Sequence, residues 1–242
     1  MNTICIIQAR MGSERLPGKI LLPLLDQPML AQIVRRAAQA RLLDGVMVAT
    51  TLDARDDVVA DLARERGWTC VRGSENDVLD RYYQAARHVN ADHVVRVTGD
   101  CPLIDPAVLD HVIAAYHCAA PRVDYASNAL VRSYPHGLDV EVFSFAALER
   151  AWQEDHNGAW REHVTPYLYR HPELFTLLDV VNPTNYAQYR VTVDTPQDFE
   201  LIQRIYEYFG HGNFTWHEVV SVLEAHPDWL DINRDVKQKT VD

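Results

Sequence analysis

From Ile4 to Val97 the chain alternates short apolar runs with longer amphipathic segments, and that alternation leaves few folds open. Ile4 to Ile7 carries no polar residue, which suits a strand buried on both faces of a parallel sheet. Residues 29–43 place Leu30, Ile33, Val34, Ala37 and Ala38 on one helical stripe. A strand over 46–50 follows, then a helix over 55–66 capped by Asp53 and stopped at Gly67. Residues 69–71 read as a third strand, 75–89 as a helix and 93–97 as a fourth strand. Short links between such elements predict an α/β fold with a doubly wound, mostly parallel sheet.

The second half is less regular. A helix is expected over 106–118, strands over 125–127 and 138–143, and helices over 145–154 and 160–170. Strands over 175–181 and 189–193, helices over 197–208 and 216–225, and a polar end over 226–242 complete the pattern. The end reads as a solvated tail or partner contact. No repeat or low-complexity linker divides the chain, so the expectation is one domain over 1–242, with a lobe at about 123–175.

The net charge of −11 argues against a nucleic-acid polymer as partner, which would need a broad basic face. No run approaches the roughly 18 apolar residues of a membrane span, and the first residues lack a basic signal-peptide region. Cys5, Cys70, Cys101 and Cys118 are far apart, with no paired spacing. Free thiols in a reducing cytoplasm are expected, without structural zinc.

Against that acidic background stands a basic loop. Directly after the first strand come Arg10, Gly12, Arg15, Pro17, Gly18 and Lys19. Glycine lets a backbone approach a ligand, and cationic side chains and N–H groups meet an anion. Five residues separate Gly12 from Gly18, and Ile20 follows Lys19, so this is not a P-loop; the dinucleotide glycine pattern is absent too. A small anionic ligand such as a nucleotide is the expected occupant.

Two strand ends add carboxylates, Asp100 after Thr98-Gly99 and Asp194 after Val193. In open parallel sheets ligands sit beyond the carboxyl ends of the strands. Two carboxylates facing a basic loop suit Mg²⁺, which takes one or two and completes its shell with water and phosphate oxygens. Asp100 is poorly placed to cap a helix. Asp194 can equally be a cap, as can Thr195.

These residues resemble a known family. The run from Ala9 to Lys19 is similar to the opening signature of the cytidylyltransferases that activate acidic sugars, the CMP-sialate and CMP-ketodeoxyoctonate synthetase group. Residues 95–105, 136–143, 161–166 and 189–199 point to the spore-coat polysaccharide biosynthesis branch. The resemblance implies a Rossmann-like, GT-A-like nucleotidyltransferase fold with a small inserted strand and dimerisation segment, and a homodimer. It implies that Ala9, Arg10, Gly12, Arg15 and Lys19, with Thr98 and Gly99, bind the nucleotide. Asp77 and Arg81 join that side, although a solvated ion pair four residues apart is the plainer reading. Asp100 and Asp194 would be the metal ligands, and Arg15, Lys19, Asp100 and Asp194 the catalytic set. His136, Gly137, Asp139, Glu141 and His163 would face the acceptor, though both histidines also have structural readings.

The implied reaction is attack of an acceptor hydroxyl on the α-phosphorus of CTP, with Mg²⁺ as cofactor and pyrophosphate as leaving group. The implied acceptor is an acidic, nonulosonate-type sugar for surface polysaccharide. Three other readings stay open on the same fold: a glycosyltransferase, a sugar-1-phosphate nucleotidyltransferase and a non-catalytic nucleotide-binding module. The acceptor's identity is not legible in the residues.

Overall fold

The computed structural model describes residues 1–238. Its elements in chain order are β1 (Thr3–Gln8), the short pair β2 (Pro23–Leu24) and β3 (Gln27–Pro28), α1 (Met29–Ala37), β4 (Gly45–Thr51), α2 (Asp57–Arg66), β5 (Thr69–Gly73), α3 (Val78–His88) and β6 (His93–Thr98). Then come α4 (Pro106–Ala119), β7 (Tyr125–Ser127), β8 (Glu141–Ser144), α5 (Phe145–Glu154), α6 (Gly158–His163), α7 (Pro166–Arg170), β9 (Leu177–Asp179), α8 (Pro196–Phe209) and α9 (Trp216–Ala225).

The main sheet has the order β5-β4-β1-β6-β8-β7-β9. β5, β4, β1 and β6 run parallel, and β8 is the antiparallel exception between β6 and β7. Alternate residues of β1 feed opposite layers. Cys5 and Ile7 pack into the core with α1, α4, α8 and α9, whereas Ile4 and Ile6 join α3, α5 and α7. Burial on both faces is why this strand shows no polar alternation. All four cysteines are free thiols. Among the described residues no helix is long and apolar enough to cross a membrane.

Several expected boundaries are corrected. The helix expected over 29–43 ends at Ala37, and the N–H groups of Arg41 and Leu42 donate instead to the Asp110 carboxylate. Asp53 caps a short 3-10 turn ahead of α2, not α2 itself. The helix expected from residue 75 begins at Val78, because the Asp77 side chain accepts the N–H of Asp80 and caps it there. The helix expected over 160–170 breaks at Val164, whose φ of 72° lies outside the helical region. The strands expected over 138–143 and 175–181 shorten to β8 and β9. Residues 189–193 form no strand, only an isolated bridge between His136 and Arg190. Of the expected polar tail, residues beyond 238 lie outside the described residues.

Candidate active site

The site grows from the carboxyl ends of β1 and β6. Gln8 pairs with Thr98 in register, so the loop after β1 and the turn after β6 leave the sheet side by side. They approach closely at Gly99, where a Cβ would stand 2.6 Å from the Gln8 carbonyl oxygen. Only glycine leaves room for that contact. The basic loop is pinned from behind, where the Met11 N–H donates to the buried Asp56 carboxylate at 2.6 Å. The Gly18 N–H closes the loop onto the Met11 carbonyl.

Asp194 arrives from the far end of the chain. The Val193 N–H donates to the Asp100 carbonyl at 2.8 Å and the Thr192 hydroxyl to the same oxygen at 3.0 Å, which lays this segment against the β6 turn. Thr195 caps α8 in a reciprocal box with Asp198, so Asp194 is not the cap. Its carboxylate instead receives Lys19 Nζ at 3.0 Å, Arg15 Nη2 at 3.0 Å and Arg190 Nη2 at 3.0 Å. Lys19 Nζ also lies 3.6 Å from Asp100 Oδ2 and donates to the Val193 carbonyl at 2.6 Å. One ammonium therefore sits between two carboxylates. Burial raises the Asp100 carboxyl, but the Lys19 charge and hydrogen bonds from Thr98 and Cys101 outweigh it and hold it below its ordinary value.

Arg15, Lys19, Asp100 and Asp194 line a cleft of about 770 Å³, with Arg190 and Asp198 behind its wall. Of the sequence-predicted site residues, Ala9, Arg10, Arg15, Lys19, Thr98, Gly99, Asp100, His136, Gly137, Asp139, Glu141, His163 and Asp194 all border it. Gly12, Asp77 and Arg81 do not. Gly12 packs beside Glu75 and Arg55. Asp77 and Arg81 form no ion pair with each other. Asp77 pairs with Arg161 at 2.8 Å, and the buried Arg81 donates to the Ser74 carbonyl at 2.6 Å.

The same cleft holds a network around Glu141 and Asp139 whose other members, Arg96, Tyr125, Arg132 and Thr165, sequence reasoning missed. Glu141 accepts from the Tyr125 hydroxyl at 2.6 Å and the Thr165 hydroxyl at 2.5 Å, and pairs with Arg96, which also donates to the Gln8 side chain. Arg132 makes two parallel bonds to Asp139, at 2.5 and 3.0 Å. Burial and the nearby Arg132 lower the His136 pKa, so this ring is neutral near pH 7. Gly137, at φ +105°, lies so near the chain at Thr192 that a Cβ would come within 2.6 Å of its nitrogen. Arg190 was also missed. Its contacts to residues four and eight positions on mimic helical spacing, but it precedes the helix, so periodicity offers no signal.

Among the described residues no cluster of three or more His, Cys, Asp or Glu side chains could hold a metal ion. A pair of carboxylates that already converges on a cation fits Mg²⁺, whose remaining ligands would come from water and phosphate. Asp100 and Asp194 are the residues that would hold it.

The family model described as Cytidylyltransferase matches residues 4–220. The spore coat polysaccharide biosynthesis protein SpsF of Bacillus subtilis is 34% identical over 240 residues, covering 94% of this chain and 97% of that one. A 3-deoxy-manno-octulosonate cytidylyltransferase of Geobacter sulfurreducens is 39% identical over 116 residues, or 47% of this chain and 45% of its own length. Among solved structures, a cytidylyltransferase from Leptospira borgpetersenii superimposes with a TM-score of 0.91 at 33% identity, covering 100% of this chain and 99% of its own.

Proposed function

The chain belongs to the cytidylyltransferase family, and on that premise we propose that it transfers CMP from CTP to a hydroxyl of an acidic sugar and releases pyrophosphate, in the making of a surface polysaccharide. The observation that carries this reading is the convergence of Lys19, Asp100 and Asp194 beside the basic loop. Charge builds on the α-phosphate and on the departing pyrophosphate, and Arg15 and Lys19 would neutralise it. The Gly99 turn lets the loop after β1 lie directly against the turn that carries Asp100. Mg²⁺ held by Asp100 and Asp194 would supply further neutralisation and make the acceptor hydroxyl easier to ionise. Ala9, Arg10, Thr98 and Gly99 would frame the nucleotide. His136, Gly137, Asp139, Glu141 and His163 would frame the acceptor, with Glu141 held too firmly by its partners to act as a mobile base. Gly12, Asp77 and Arg81 would act only indirectly, by supporting the nucleotide side from outside the cleft.

The acidic acceptor is supported by the name of the Geobacter sulfurreducens relative, and the polysaccharide role by that of the Bacillus subtilis relative. We further propose that residues 1–242 act as one domain in the cytoplasm, with the lobe at about 123–175 serving acceptor binding and pairing of two copies. Val131, 62% exposed within that lobe, supports the pairing surface, and Val181, 50% exposed just after the edge strand β9, would extend it past the lobe. The pairing of Arg96 with Glu141 and of Arg132 with Asp139 favours a second reading, in which the acceptor turns an uncharged hydroxylated face to this half of the cleft.

The deciding experiment incubates purified protein with CTP, Mg²⁺ and a panel of sugar acids and neutral sugars. Pyrophosphate release with a sugar acid supports the first reading, and release with neutral sugars alone supports the second. No release with any acceptor overturns both, and hydrolysis of a ready-made nucleotide sugar would indicate a glycosyltransferase.

A further inference from the structure

The polar stretch before the end of the described chain reads as solvated tail in the sequence, yet it turns back into the cleft. Asn233 is buried, and its amide donates to Asp198 Oδ1 at 2.9 Å and to the Arg190 carbonyl at 3.2 Å. A tight turn, from the Val236 N–H to the Asn233 carbonyl at 3.1 Å, redirects the chain. The Lys237 carbonyl then accepts from Arg15 Nη1 at 3.3 Å, and the Gln238 side-chain oxygen accepts from Arg190 Nη1. Gln238 lines the same cleft as Arg15, Lys19 and Asp194.

We propose that residues 233–238 form a strap that completes the triphosphate subsite, with Gln238 as a nucleotide-contacting residue. The inference rests on the CTP-dependent reading above. Arginine only donates hydrogen bonds, so the carboxamide oxygen must face Arg190 and the NH₂ group is the end left to donate to a ligand. The phosphate chain of a nucleotide accepts such bonds. The strap also prepares Arg15. With Nη2 on Asp194 and Nη1 on the Lys237 carbonyl, its guanidinium is aimed before the nucleotide arrives. A triphosphate then replaces a neutral carbonyl, a weaker partner than an anionic oxygen. Asn233 anchors the strap to Asp198, which also receives Arg190, so one rigid point serves both Asp194 and the strap.

The test compares the parent, Gln238→Ala and a chain ending at Arg234, which keeps the Asn233 anchor. Two quantities are read: kcat and KM for CTP with Mg²⁺, and the rise in melting temperature given by inorganic pyrophosphate with Mg²⁺. Loss of hydrogen bonds to a charged ligand should raise KM for CTP about tenfold in the shortened chain and about threefold or more in Gln238→Ala. kcat should stay within about twofold, and the pyrophosphate-induced rise should shrink. Unchanged KM and an unchanged pyrophosphate effect in both variants overturn the strap. A fall in kcat with unchanged KM overturns it as well. A parent that turns over no CTP, yet is stabilised by pyrophosphate more than the shortened chain is, sinks the reading of the reaction and leaves the strap standing.

Discussion

The ammonium nitrogen of Lys19 lies 3.0 Å from a carboxylate oxygen of Asp194, across 175 residues of sequence. Asp100, on the turn between them in the fold, lies 3.6 Å from the same nitrogen. A cation position is thus already built into the protein and is held by a side chain that a triphosphate would compete for. Lysine suits this exchange, because its charge is compact and its stem flexible.

Replacing either carboxylate should disable chemistry without unfolding the protein. Asp100→Asn and Asp194→Asn are each expected to lower the rate of pyrophosphate release by about 10²–10³. The double variant should lose much less than the product of the two, because both would serve one ion. Steady-state assays with far-ultraviolet circular dichroism as the folding control check this.

Removing the lysine should expose the competition. Without Lys19, Asp100 and Asp194 are left together without the ammonium between them, and like charges at close range repel. Lys19→Met is expected to melt below the parent and to gain melting temperature from Mg²⁺ alone. The parent should show that gain only with nucleotide present. Thermal unfolding with and without Mg²⁺ distinguishes the two. A chelator should abolish turnover in the parent, and added Mg²⁺ should restore it.

Glu141 takes hydrogen bonds from Tyr125 and Thr165 and the charge of Arg96, all of them lining the cleft. Glu141→Gln strands that arginine in a mostly buried setting. A loss of about 3 kcal/mol is expected from breaking one partner of a buried pair. Urea unfolding reads it directly, and the KM for the acceptor should rise more than that for CTP.

Asp198 supplies a pH dependence. Burial raises its carboxyl, but hydrogen bonds from Arg190, Asn233 and the Asp194 N–H prevail and hold it below the ordinary value. A carboxyl depressed in the folded state contributes stability that is complete above its unfolded value of about 4. That contribution is lost as pH falls through the lower folded value. Asp198→Asn should therefore be less stable than the parent at neutral pH and show a flatter decline below about pH 4, as measured by denaturant titration across pH.

Legibility was uneven for identifiable reasons. The parallel half of the sheet was readable because β1, β4 and β6 are apolar runs separated by helices with a clear stripe. The loop from Ala9 to Lys19 stood out because cations and glycines are dense there in an acidic chain. The second half misled where long-range bonds decided the local form. Residues 189–193 have the apolar look of a strand, but the N–H groups of Tyr189, Val191 and Val193 go to three separate segments, at Tyr186, His136 and Asp100, not to a ladder. Val164 interrupts a helix just ahead of Pro166, the first residue of α7, a boundary signal that the apolar look of 160–170 masked. Asp77 and Arg81 have helical spacing, yet Arg161 takes the aspartate.

By itself the sequence determined the layered α/β architecture and which strand ends carry polar chemistry. Both are written in periodicities and residue types spanning only a few positions. Only the tertiary structure decided that Lys19 bridges Asp100 and Asp194, that Arg190 and Asp198 stand behind that bridge, and that Lys237 and Gln238 meet Arg15 and Arg190 beside it. Those partnerships join segments whose separation in sequence bears no relation to their distance in space, and packing of the two layers on the sheet is what brings them within hydrogen-bond reach.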